Sequence, residues 1–141
     1  MKDLFNSFPT ENGTRNDALN YIKVLQYIAN VDGIDATEKK GIENLISLRG
    51  WDPKIYNEGL EFPMGSISEL PYNSETIGVF SHYIIRDCVL VAYIEGGYSS
   101  EEKSTVMSIA NEIGVSEERL KDIEDAVFHY VSAIEKWSPL I

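Results

Sequence analysis

The chain has 141 residues, with 23 acidic against 12 basic side chains, a formal net charge of −11 and 43% hydrophobic residues. That charge excludes nucleic acid and anionic membranes as ready partners, whose phosphates it would repel, and favours cations or basic protein surfaces. The length suits one domain with a real core, and the single Cys88 excludes an intramolecular disulfide and a cysteine-based zinc site.

Residues 1–15 read as a loose N-terminal arm containing Pro9 and Gly13. The run from Met1 to Phe5 has no basic region followed by an apolar stretch, so no secretory signal is expected. Asn16 is read as the N-cap of a helix reaching about 30, with Ala18, Tyr21, Ile22, Leu25, Ile28 and Ala29 at helical spacing. Val24, Tyr27 and Val31 widen that stripe, which predicts burial on more than one side. A second helix is expected over about 37–49, with Ile42, Leu45 and Ile46 inward and Gly50 as the left-handed residue that closes it.

The pattern weakens over 51–74, which reads as a connector broken by Pro63, Gly65 and Pro71. Asp52-Pro53 predicts a short helix near 53–60, an N-cap followed by proline at the first helical position. A third main helix over about 75–94 is the most apolar segment, carrying Ile77, Phe80, Ile84, Cys88, Val91 and Ala92, and its width argues for a central place. Arg86 and Asp87 interrupt it, so no run reaches transmembrane length and no direct membrane insertion is expected. Cys88 within it reads as a buried, inert thiol. A fourth helix over about 100–113 buries Val106, Ile109, Ala110 and Ile113 before Gly114. Ser116 caps a last helix to about 136, with Leu120, Ile123, Val127, Tyr130, Val131 and Ile134 inward. The expectation is a cytoplasmic, single-domain, all-α protein: a compact helical bundle of two repeated helical hairpins and a C-terminal helix.

Two acidic turns carry the functional signal. The first is Asp32-Gly33-Ile34-Asp35-Ala36-Thr37-Glu38-Lys39, and the second is Glu95-Gly96-Gly97-Tyr98-Ser99-Ser100-Glu101-Glu102-Lys103. Each follows an apolar helix, crosses glycine and enters the next helix through capping-box spacing, Asp35 with Glu38 and Ser99 with Glu102. Capping accounts for those four. It does not account for Asp32 and Glu95, which stand at the C-terminal end of a helix, where the dipole disfavours an anion. A compensating cation is implied there, either a Lys or Arg side chain or a metal. With only oxygen ligands on offer, calcium is the leading ion. The first turn is like the end of an EF-hand loop but is one residue short and lacks the first two ligand positions.

The paired turns resemble the tellurite-resistance TerB-like family, which includes the N-terminal domain of the membrane chaperone DjlA. The first copy matches at Asp32, Gly33, Glu38 and Lys39, and the second at Gly96, Ser99, Glu102 and Lys103, with one extra residue before its glutamate. Ile109-Ala110-Asn111-Glu112-Ile113-Gly114-Val115-Ser116 and Arg86 are similar to further family elements, and Glu95 departs from the usual Asp. The resemblance covers roughly 18–50 and 80–120. It implies a compact helical fold, an acidic cluster for a divalent metal, and a role without established catalysis in a stress-response or membrane-associated assembly.

Other residues have plainer readings. Asp87 is expected in an ion pair with another helix, or else as a further ligand near the acidic cluster. His82 and His129 have no partner at metal spacing and read as hydrogen-bonded packing residues. Trp51, Trp137, Tyr56, Phe62 and Tyr72 either cover the core or line a partner groove. No nucleophile elbow, P-loop, Cys-x-x-Cys or His-Glu-x-x-His occurs. Three functions stay in view. The first is a TerB-like module with a calcium-type site at Asp32, Asp35, Glu38, Glu95 and Glu102. The second is a metal-independent acidic adaptor for a basic protein partner, and the remote third is a small metal-dependent hydrolase.

Overall fold

Apolar side chains recur at helical spacing in every segment and alternate in none, and the chain folds accordingly. The computed structural model describes residues 15–31, 36–66, 69, 74–93 and 98–137. Within them lie α1 (Arg15–Ala29), α2 (Ala36–Leu48), α3 (Ile55–Glu61), α4 (Ser74–Tyr93), α5 (Ser100–Glu112) and α6 (Glu117–Trp137), with no strand among the described residues. No helix among them is long and apolar enough to cross a membrane.

Helix α4 is buried without a break from Ile84 to Ala92. A helix enclosed on all sides belongs at the centre of a bundle, and α4 packs against α1, α2, α5 and α6. Helix α1 is its partner at the centre, touching α2, α3, α4 and α5, with Tyr21, Ile22, Val24, Leu25 and Ile28 all shut off from solvent. Each buried Ile, Leu or Val side chain is worth about 1.5–3 kcal/mol, so this shared interior holds the helices together. The side chains of Ile77, Phe80 and Trp137 lie outside the described residues.

The packing differs from two self-contained hairpins. Helix α3 covers α1 more extensively than α2 does, and α6 covers α4 more than α5 does. The six helices therefore fall into two successive groups of three with corresponding contacts: α1 with α2 and α3, and α4 with α5 and α6. The stretch read as a connector supplies Ile55, Tyr56 and Met64 to the core. Asp52 does not cap α3 directly. Its Oδ1 accepts from the Lys54 amide at 3.0 Å, which forms a turn before the helix starts at Ile55.

Helices α2 and α5 are both 13 residues long and end in the same way. Gly50 (φ 70°) and Gly114 (φ 83°) take the left-handed conformation that other residues avoid. Beyond them the Trp51 amide donates to Ile46 O at 3.0 Å and the Val115 amide to Ala110 O at 2.8 Å, closing a Schellman motif at each end.

Two expected details differ. Asn16 lies inside α1, which already starts at Arg15, so it is not the cap. On α6, Leu120 and Val127 are buried as expected, while Ile134 is 46% exposed.

Candidate functional site

Of the five carboxylates expected at the acidic turns, Asp32, Asp35 and Glu95 lie outside the described residues, as do Gly33 and Gly96. Glu38 and Glu102 are described and share a role in the helix register. Each is the third residue of its helix, α2 and α5 respectively, and each is buried. Around Glu102 the expected capping box is complete. Ser99 Oγ accepts from the Glu102 amide and Glu102 Oε1 accepts from the Ser99 amide, both at 3.1 Å. These contacts satisfy two amides that a helix start leaves without partners. Glu38 and Glu102, like Gly50 and Gly114, stand 64 residues apart. In that register Gly97 corresponds to Gly33 and Ser99 to Asp35, so the second turn needs no extra residue and Glu95 corresponds to Val31. Among the described residues no group of three or more His, Cys, Asp or Glu is placed to hold a metal ion.

At the centre of the bundle Asp87 is fully buried and both its oxygens accept hydrogen bonds. Oδ1 accepts from Arg86 Nε at 2.9 Å. Oδ2 accepts from Tyr21 Oη at 2.5 Å and from Arg49 Nη2 at 3.2 Å. Of the two sequence readings for Asp87, the buried ion pair is the one found. It joins α1, the end of α2 and α4 through one carboxylate, and both guanidinium groups are themselves buried. A buried charge is tolerable only when paired and hydrogen-bonded in this manner. The Arg86 guanidinium also lies 5.2 Å from the Tyr83 ring centroid.

Cys88, beside Asp87, is buried and free, and burial followed by the Asp87 charge pushes its thiol well above the ordinary range. A thiol so placed does not supply the thiolate needed for nucleophilic chemistry. His82 and His129 are exposed rather than packed inside, because each faces outward from its helix. His129 meets the edge of Phe128 with ring centroids 5.7 Å apart.

The aromatic residues divide. Tyr56 is buried, and Trp51 packs its ring against Tyr21 at 5.6 Å, so both cover the core. Phe62 is 66% exposed, and Tyr72 lies outside the described residues. Sequence reasoning gave no role to Arg15, placed at the boundary of the arm. It clamps Glu58 at 2.7 Å and Asp52 at 3.0 Å, fastening the start of α1 to α3 and the turn before it.

A cavity of about 460 Å³ between the end of α4, α5 and α6 was also not foreseen. Tyr93, Tyr98 and Phe128 line it together with Glu124 and Asp125. Tyr98 Oη and Glu124 Oε2 are both shut off from solvent, and neither makes a hydrogen bond of regular geometry. Burial first, then the adjacent Glu124 carboxylate, pushes the Tyr98 phenol far above its usual range. Glu124 and Phe128, four apart on α6, were a legible signal only as an outward-facing pair, because the third and fourth walls come from elsewhere in the chain.

No family model, curated protein or solved structure matches the chain.

Proposed function

We propose that the protein is a non-catalytic helical module of the TerB-like type, serving in a stress-response assembly, with its paired acidic turns holding a divalent cation, calcium foremost. The observation that carries this reading is the shared helix position and burial of Glu38 and Glu102. Both are buried carboxylates at the third position of a 13-residue helix that follows an acidic turn and ends at a left-handed glycine. Capping explains one oxygen of Glu102, and a hard cation held by carboxylates is the chemistry that acidic turns beside such positions would serve.

The test is calorimetric titration of chelator-treated protein with calcium, magnesium and zinc, repeated on the Asp32→Asn, Glu95→Gln double variant. Saturable binding that the double variant loses is expected. No heat from the wild type at millimolar ion would remove the metal from the proposal and leave the turns as helix caps.

The second reading, a metal-independent adaptor for a basic protein partner, is favoured by one specific feature. Helix α6 carries exposed Glu117, Glu118, Asp122 and Asp125 against exposed Arg119 and Lys121, together with the exposed apolar Phe128. An exposed aromatic side chain amid an excess of one sign of charge suits a partner of the opposite sign. Partner binding would then weaken steeply with salt and ignore chelator.

A further inference from the structure

The cavity between α4, α5 and α6 combines three aromatic rings with fixed negative charge, a pairing the duplicated turns do not explain. Tyr93 and Tyr98 have ring centroids 5.4 Å apart at an interplanar angle of 45°, and Tyr93 and Phe128 lie 6.3 Å apart at 55°. Rings tilted to this degree are not stacked in parallel, and all three line the one hollow. Its volume of about 460 Å³ falls in the range of small-ligand sites, roughly 300–1,000 Å³.

The charges lining the hollow are arranged unequally. Glu124 is half-buried, with Oε2 sealed from solvent beside the Tyr98 hydroxyl, while Glu117 and Asp125, like the lining lysines Lys103 and Lys121, are exposed. The lining therefore sets three carboxylates against two ammonium groups, an excess of one negative charge. The carboxylates of Glu124 and Asp125 reach the rings electrostatically, since after burial they are what raises the Tyr93 phenol above its usual range. Nor does the fold demand a carboxylate at this place. In the 64-residue register Leu60 on α3 corresponds to Glu124 on α6, and Tyr56 to Leu120.

Aromatic faces attract organic cations through the negative charge of the ring, by about 0.5–1 kcal/mol in exposed sites and about 2 when desolvated. Neighbouring carboxylates add ordinary Coulomb attraction. We propose that this hollow is a cation-binding site that receives the side-chain ammonium or guanidinium of a basic partner segment, seated against Tyr93, Tyr98 and Phe128 with Glu124 and Asp125 as counter-charge. The proposal deepens the partner reading above by naming the group recognised, and it is independent of any metal at the acidic turns.

The test uses amide NMR spectra of isotope-labelled protein, with chelator present throughout so that the outcome does not depend on the metal reading. Nα-acetyl-lysine N-methylamide and its arginine counterpart are the probes. Nα-acetyl-norleucine N-methylamide, which keeps the apolar stem and lacks the charge, is the control, and all titrations are made at matched ionic strength. The expected result is saturable shifts at millimolar probe, confined to residues around the hollow, with a response to norleucine weaker by about tenfold. Phe128→Ala, at a half-exposed position, and the shape-preserving Glu124→Gln should each weaken binding roughly fivefold while leaving the helical circular dichroism unchanged. Equal binding of norleucine would overturn the cation site in favour of a plain apolar hollow. Unsaturable shifts spread over all the acidic surface, or wild-type binding in both variants, would overturn it as well.

Discussion

Tyr21 on α1 and Asp87 on α4, 66 residues apart in the chain, share a hydrogen bond at the centre of the bundle. Arg49 and Arg86 complete the cluster, so one carboxylate neutralises part of two buried positive charges. Asp87→Asn keeps the shape and removes the charge. Breaking a buried pair in this way costs about 3–5 kcal/mol, because the remaining charges stay desolvated. Tyr21→Phe removes one donor and should cost less, about 1–3 kcal/mol. Urea unfolding followed by circular dichroism measures both. Equal losses for the two variants would show that the hydroxyl, rather than the charge pairing, holds the cluster.

The Arg15 clamp gives a pH dependence with a definite sign. The Lys54 amide and then Arg15 hold the Asp52 carboxyl below its usual range, and Arg15 does the same for Glu58. A carboxylate whose folded pKa is depressed contributes stability above its unfolded value and loses it as pH falls through the folded one. All three groups are exposed, so the effect is small in water. Arg15→Gln should therefore be less stable than wild type at neutral pH. The difference should shrink below about pH 4 and vanish once both carboxylates are protonated. Paired thermal melts across that range check it, and a difference that grows on acidification would contradict the clamp.

Ser99 closes the capping box at the start of α5, and Ser99→Ala should destabilise the protein by about 0.5–2 kcal/mol. Its Oγ is committed to the Glu102 amide. The loss should therefore be the same in chelator and in millimolar calcium, as measured by denaturant titration in each. A loss that calcium alone reveals would make Ser99 part of an ion site.

Gly59 on α3 faces the side chain of Gln26, and a Cβ there would collide with the Gln26 amide. Gln26 is buried and its Nε2 donates to Tyr56 O at 2.8 Å, so a retreat from the new Cβ would pull that hydrogen bond apart. Alanine is ordinarily the better helix residue by about 1 kcal/mol. Here Gly59→Ala should instead destabilise the protein, because losing the buried Gln26 bond costs about 1–3 kcal/mol. Unfolding of Gly59→Ala compared with the same change in a Gln26→Ala background checks the cause: the second background should remove the penalty.

Much of this molecule is decided by local rules and could be read directly. Apolar spacing placed the main helices within a residue or two. Gly50 and Gly114 were identified as helix ends because the left-handed conformation selects glycine over nearly everything else. Ser99 and Glu102 were identified as a capping box because both partners lie within one turn. Cys88 was read as buried from its neighbours alone, since apolar residues stand on both sides of the Arg86-Asp87 interruption and a small thiol packs among them.

What tertiary structure alone decided involves partners far apart in the chain. Asp87 had two readings until Tyr21 and Arg49 arrived from other helices to engage it. Arg15 belonged to an apparent arm until α3 brought Glu58 to it. The stretch after Trp51 looked like a connector because its periodicity is short, yet α3 is required to cover α1. The hollow among Tyr93, Tyr98, Glu124 and Phe128 has no local signature, because its walls come from three helix neighbourhoods and each residue by itself suits an ordinary surface. Periodicity and capping act within a few residues and so are written in the sequence. Buried charge pairing and cavity shape depend on which helices meet, and only the packed bundle determines that.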